Sequence, residues 1–172
     1  MGAGKDTIAE QLAHDLGIPL CGVSNVLREM ATERGLGQMR DDLRKLSNEQ
    51  GTVGELANIF LDRLSPRGML VGIRIPELYQ LLQTKAKVVL LRVEAPDEVR
   101  MQRIIKRNKP GDPQNLPWLL EFEAREYKFW NKLNIDQLHE WSDYTIDNSW
   151  DKIALEKELE KAKLRLQTHL TS

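Results

Sequence analysis

The sequence predicts an α/β protein in three layers, with a parallel sheet covered by helices on both faces. Two observations predict it. Short apolar runs rich in β-branched residues alternate with longer stretches of helical periodicity. No internal repeat or low-complexity linker interrupts that alternation, and 172 residues suit one domain with a real core.

The elements follow in order. "TIAEQLAHDLG" places Ile8, Leu12 and Leu16 at helical spacing with Ala9 and Ala13 beside them, and Gly17 is a stop signal. "IPLCGVS" is a short apolar strand ending near Ser24, with Cys21 expected in the core. "NVLREMATERG" and "DDLRKLSNEQGTVGELANIFLDRL" read as helices, interrupted near Gly35–Gly37 and at Gly51. "GMLVGI" is a second compact strand and "IPELYQLLQT" a helix. "KVVLLRVEA" is the strongest strand pattern, β-branched at Val88, Val89 and Val93. "PDEVRMQRIIKRN" opens with Pro96 and acidic residues, as helix starts do. Residues 108–117, with three prolines and one glycine, read as a mobile insert. "WLLEFEAREYKFWNKL" is the next helix, "DYTIDN" the last strand, and "SWDKIALEKELEKAKLRLQTHL" a charged terminal helix.

Composition bounds the function. The charged fraction of 30% fits a soluble globular chain. The net charge of −1 gives no whole-chain argument for nucleic acid or an anionic membrane as partner. Cys21 is the lone cysteine, so no internal disulfide can form and a reducing cytoplasm is expected. No apolar run approaches the roughly 18 residues of a membrane span, and no signal peptide pattern opens the chain. His14, His139 and His169 have no ligand spacing, and Trp118, Trp130, Trp141 and Trp150 are read as packing groups of the C-terminal helices.

The chemistry is carried by a glycine turn and by arginines. In "MGAGKDT" a helix begins directly after Gly-Ala-Gly-Lys, so unpaired amides and a positive dipole end face whatever the turn encloses. Gly2, Ala3 and Gly4 let backbone close around phosphate oxygens, Lys5 reaches the outer phosphates, and Thr7 offers a hydroxyl. Compared with G-x-x-x-x-G-K-[ST], the first glycine is missing and Asp6 stands where Ser or Thr is expected. "GVSNVLRE" brings Ser24 and Arg28 just past one strand, and "VGIRIPE" brings Arg74 just past another. Ligands of open α/β sheets bind beyond the carboxyl ends of strands, and arginine grips phosphate bidentately. Arg103 and Arg107 share a helix face leading into the insert, and Arg125 returns on the next helix; Glu121, Glu123 and Glu126 are their alternative partners.

Taken together, these segments resemble the P-loop nucleoside monophosphate kinases and relatives such as dephospho-CoA kinase, over roughly residues 1 to 150. "GAGKDT" resembles their Gly-x-Gly-Lys-x-Thr, "SNVLRE" the acceptor-side helix, "GIRIPE" a second acceptor arginine segment, "RMQRIIKR" the helix entering the lid, and "DYTIDN" the strand near the donor base. The resemblance implies a single three-layer α/β/α P-loop NTPase domain over 1–172, with acceptor-binding helices at about 24–64 and a lid-like insert at about 108–125. It implies ATP and Mg²⁺ as cofactors, with Gly2 to Thr7 binding the nucleotide. Lys5, Arg103, Arg107 and Arg125 would act on the transferring group, and Ser24, Arg28 and Arg74 would hold a small phosphorylated substrate. The reaction implied is γ-phosphoryl transfer to a nucleoside or deoxynucleoside monophosphate. The alternatives are a dephospho-CoA kinase and a nucleotide-binding protein without turnover.

Two departures bear on that expectation. The family's first strand precedes the loop, so the sheet is expected to lack it in this chain. Relatives often carry an acid at the end of the strand "GMLVGIR"; Val71 stands there, and Asp6 is the candidate to hold Mg²⁺ through water.

Overall fold

The computed structural model describes residues 1–109, 111–131, 135–149 and 152–171, without the side chains of 126–131, 135, 170 and 171. The expectations for Glu126 as an ion-pair partner and for Trp130 and Trp150 as packing groups lie outside the described residues. The chain divides into two compact units, one of residues 1–8 and 89–172, the other of residues 9–88. Helix α1 (Lys5–Leu16) starts in the first unit and continues into the second.

In the 9–88 unit, β1 (Leu20–Gly22) pairs in parallel with β2 (Met69–Val71), with Leu20 opposite Met69 and Gly22 opposite Val71. Four helices follow the strands: α2 (Val23–Glu33), α3 (Arg40–Ser47), α4 (Thr52–Arg63) and α5 (Pro76–Gln83). Helix α2 buries Val23, Val26, Leu27, Met30 and Ala31, the i, i+3, i+4, i+7, i+8 stripe of an amphipathic helix. Leu46, Leu56, Phe60 and Leu78 are fully buried, and each contributes about 1.5–3 kcal/mol through apolar area removed from water. Pro76 occupies the first turn of α5, where its missing N–H is of no consequence. The expected break at Gly51 separates α3 from α4.

In the other unit, β3 (Leu91–Glu94) pairs in parallel with β4 (Tyr144–Asp147), the ladder running from Leu91–Tyr144 to Glu94–Asp147. Its helices are α6 (Asp97–Arg107), α7 (Leu116–Asn131), α8 (Ile135–Glu140) and α9 (Lys152–Thr171). Met101, Ile104 and Leu119 form a core cluster against which Met1 and Leu116 pack. Tyr144 ties β4 to α9: its hydroxyl donates to Glu158 Oε2 at 3.0 Å, and the Arg165 guanidinium lies 4.5 Å from its ring centre.

The strands are parallel, as expected, but shorter than their apolar runs, and they pair two by two. The run "KVVLLRVEA" contributes only Leu91–Glu94, because ladder bonds, not β-propensity, delimit a strand, and Tyr144–Asp147 is the segment that supplies them. Cys21 is half-buried rather than deep in the core, since β1 is flanked by β2 alone among the described strands. Helix α8 is an addition to the expected elements; six residues are too few for periodicity to show. Trp118 is 39% exposed and so is not a core group.

Candidate active site

The glycine turn lies just beyond the carboxyl end of the β3–β4 ladder. Asn148, the residue after β4, donates from Nδ2 to the Ala3 carbonyl at 2.7 Å. Its own amide donates to the Glu94 carbonyl at 2.8 Å, which fastens the end of β4 to the end of β3. The turn needs its glycines for two reasons. Gly2 and Gly4 have φ of +73° and +90°, in the left-handed region. A Cβ on Gly2 would stand 2.6 Å from the Arg100 carbonyl oxygen, and one on Gly4 2.3 Å from Asn148 Nδ2. At Gly2 backbone approaches backbone too closely for a Cβ, and at Gly4 the Asn148 side chain fills the space a Cβ would take.

Helix α1 begins at once. The Ile8 amide donates to the Gly4 carbonyl at 3.0 Å, which leaves the amides of Lys5, Asp6 and Thr7 without partners in the helix. Lys5 is 44% exposed on the side chain, and its Nζ donates to Asp6 Oδ1 at 2.5 Å. The Asp6 and Thr7 side chains face solvent.

Two arginines of α6 buttress the turn, one expected and one not. Arg103 Nη2 donates to the Asn148 carbonyl at 2.9 Å and to its Oδ1 at 3.3 Å. Arg103 Nη1 is buried and has no hydrogen-bond partner among the described residues. A buried cationic N–H left open costs free energy unless an acceptor reaches it. Arg100 donates to the Met1 carbonyl at 3.1 Å and to both oxygens of Glu123, at 2.5 and 2.9 Å. Burial pushes the Glu123 carboxyl up most strongly of any one effect, but the hydrogen bonds and charges of Arg100 and of the Met1 amine together outweigh it and hold the group below the usual carboxylate range.

The other two arginines expected here are engaged elsewhere. Arg107 forms a bidentate pair with Asp112 in the insert, Nε to Oδ2 at 2.6 Å and Nη2 to Oδ1 at 2.8 Å. Asp112 is only 6% exposed, and the Arg107 guanidinium holds its carboxyl below the usual range. Arg125 pairs with Glu121 one turn away on α7, both well exposed.

In the 9–88 unit, β1 and β2 end level, Gly22 opposite Val71. Ser24 and Arg28 on α2 and Arg74 before α5 thus lie past the same carboxyl edge of one ladder. Arg28 is exposed and folds back on its own helix, with Nη1 donating to the Ser24 carbonyl at 3.2 Å and Asn25 Oδ1 at 3.4 Å. Arg74 is half-buried.

The sequence reading thus missed Asn148, Arg100 and Asp112. The signal for Asn148 was its place directly after a strand; for the others only the fold supplies one. No group of three or more metal-ligating acids, histidines or cysteines occurs among the described residues. The residues fit a polyphosphate: a turn whose Gly2 and Gly4 leave no room for a Cβ, a helix N-terminus, Lys5 beside it and a guanidinium N–H with no partner among the described residues.

A glycine turn and helix N-terminus beyond the carboxyl edge of parallel strands define the class, the P-loop kinase fold. The chain belongs to the AAA domain family, whose model matches residues 1–117. It is 32% identical to a UPF0200 protein of Staphylothermus marinus over 74% of this chain and 70% of that one. It is 33% identical to a cytidylate kinase of Aeropyrum pernix over 62% of this chain and 60% of that one. A shikimate kinase structure from Bacteroides thetaiotaomicron superimposes with a TM-score of 0.60 at 17% identity, covering 97% of this chain and 94% of that one. That likeness establishes the three-layer α/β/α P-loop fold. Among the described residues, no helix is long and apolar enough to cross a membrane.

Proposed function

We propose that the protein transfers the γ-phosphoryl group of ATP, with Mg²⁺, to a nucleoside or deoxynucleoside monophosphate in the cytoplasm. The observation that carries the reading is a turn whose Gly2 and Gly4 leave no room for a Cβ, tied through Asn148 to Arg103, whose buried Nη1 has no hydrogen-bond partner among the described residues. The kinship with a cytidylate kinase supports a nucleotide as acceptor. In this reading the Gly2–Thr7 turn and Lys5 bind the donor phosphates, and Arg103 neutralises the charge that develops on the transferring group. Arg107 and Arg125 join it by exchanging Asp112 and Glu121 for phosphate. Ser24, Arg28 and Arg74 hold the acceptor phosphate. Phosphate-to-phosphate transfer rests on alignment and charge neutralisation and needs no protein base, which suits a chain with Val71 where relatives place an acid. Asp6 would be the residue to hold Mg²⁺, through water, and its Lys5 partner would then be free to turn to phosphate. The Asp6→Ala variant should need far more Mg²⁺ for half-maximal activity, and an unchanged magnesium titration refutes the assignment.

A second reading, nucleotide binding without turnover, is favoured by the engagement of Arg107 by Asp112 and by Val71. ADP release measured across nucleoside monophosphates, deoxynucleoside monophosphates and dephospho-CoA separates the two. Release with a monophosphate is the expected result. Release with dephospho-CoA alone reassigns the acceptor to a hydroxyl, and ATP binding without release for any acceptor leaves the binding protein.

A further inference from the structure

We infer that Asn148 is a positioning residue for the phosphate site, holding the glycine turn and Arg103 in one fixed relation; this rests on the phosphate-binding reading above. Four hydrogen bonds meet at this side chain and its backbone. Nδ2 donates to the Ala3 carbonyl at 2.7 Å, the amide to the Glu94 carbonyl at 2.8 Å, and the carbonyl and Oδ1 accept from Arg103 Nη2 at 2.9 and 3.3 Å. Residues distant in sequence, 3, 94 and 103, thereby close on one residue that is 5% exposed.

The side chain does two jobs with its two ends. The amide nitrogen fixes the turn, because Ala3 presents an acceptor that only a donor can meet. The oxygen end occupies Arg103 Nη2, so the planar guanidinium must present its other nitrogen, Nη1, which is the one left open. Asparagine is the side chain that does both at this length. Aspartate has no donor for Ala3. Its carboxylate would also compete with phosphate for Nη1. Gly4 is part of the same device, since its absent Cβ is what leaves room for Nδ2. Asn148 touches neither substrate nor reacting atoms in this scheme; it acts through the turn and through Arg103.

The test is binding of a fluorescent methylanthraniloyl-ATP in Mg²⁺ buffer, with thermal unfolding in parallel, for the wild type and the Lys5→Ala, Asn148→Ala, Asn148→Asp and Arg103→Ala variants. Asn148→Ala should weaken binding about tenfold or more, because the part-buried Ala3 carbonyl is left open and Arg103 loses its side-chain acceptor, keeping only the backbone carbonyl of residue 148. Asn148→Asp should be weaker still. Combining Asn148→Ala with Arg103→Ala should cost less than the product of the two losses, because both act through the same contact. A purely structural asparagine would lower the unfolding temperature, leave the affinity of the folded protein intact and show additive losses; that result overturns the inference. If the wild type binds, Lys5→Ala does not, and both Asn148 variants bind normally, the inference alone fails. If the wild type does not bind, the phosphate-site reading fails and the inference with it. Should the variants not fold, the wild type decides by NMR: the Asn148 side-chain amide should exchange slowly and shift on adding ATP, and a fast-exchanging, unresponsive amide overturns the claim.

Discussion

Replacing Asp112 by asparagine removes a charge from the buried end of the Arg107 pair while keeping the shape. Asp112 is 6% exposed and Arg107 36% on its side chain, so the guanidinium can turn to water when its partner is neutralised. The cost is therefore below the roughly 3–5 kcal/mol of breaking a fully buried pair. Two charge-assisted hydrogen bonds become at most one ordinary bond, which sets the loss at about 1–3 kcal/mol. For a chain of 172 residues, each kcal/mol lowers the unfolding temperature by about 2–4 °C. The pH dependence gives an independent check. The Asp112 carboxyl is held below its ordinary value of 3.8, so the unfolded state binds its proton first as pH falls. The pair's contribution is complete above that value and is lost as pH drops through it and on through the folded-state value. The stability gap between wild type and Asp112→Asn should thus be constant from pH 7 to about pH 5 and shrink below pH 4. Hydrogen exchange across residues 108–115 should quicken in the variant. Equal unfolding temperatures at pH 7, or a gap that does not narrow in acid, would refute the reasoning.

Other outcomes follow from the same geometry. Lys5→Ala should reduce ATP affinity by about a hundredfold in a calorimetric titration, as expected for a lost charged phosphate contact, and move the unfolding temperature little, because Lys5 is exposed and its ion pair with Asp6 is a surface one. Gly2→Ala should destabilise by about 2–4 kcal/mol in urea unfolding, since its Cβ would meet the Arg100 carbonyl at a backbone angle few side chains adopt. Arg28→Ala and Arg74→Ala should each raise KM for the monophosphate at least tenfold and leave KM for ATP within about twofold, a split read by steady-state kinetics with each substrate varied in turn.

The glycine turn and the helix that follows it were legible because their parts are local. A turn of small residues running into a helix is written in seven consecutive letters, and the first turn of α1 follows from them. The placement of Arg28 and Arg74 past one strand edge was legible for a related reason: each follows a recognisable apolar strand, and parallel strands end on the same side. The ion-pair partners of Arg107 and Arg125 were not. Helical spacing puts Arg103 and Arg107 on one face, but it does not say that a carboxylate five residues on will close back and take the second of them.

By itself the sequence determined the order of the strands and of the longer helices, and the place of the glycine turn with Lys5 at its end, because hydrophobic period and backbone sterics act over a few residues. Tertiary structure alone decided that Asn148 reaches across 145 residues to Ala3, that Glu123 answers Arg100, and that one Arg103 nitrogen has no partner among the described residues. Those pairings depend on chain segments brought together only when β3 and β4 align, and no local pattern encodes which polar group a distant backbone carbonyl will meet.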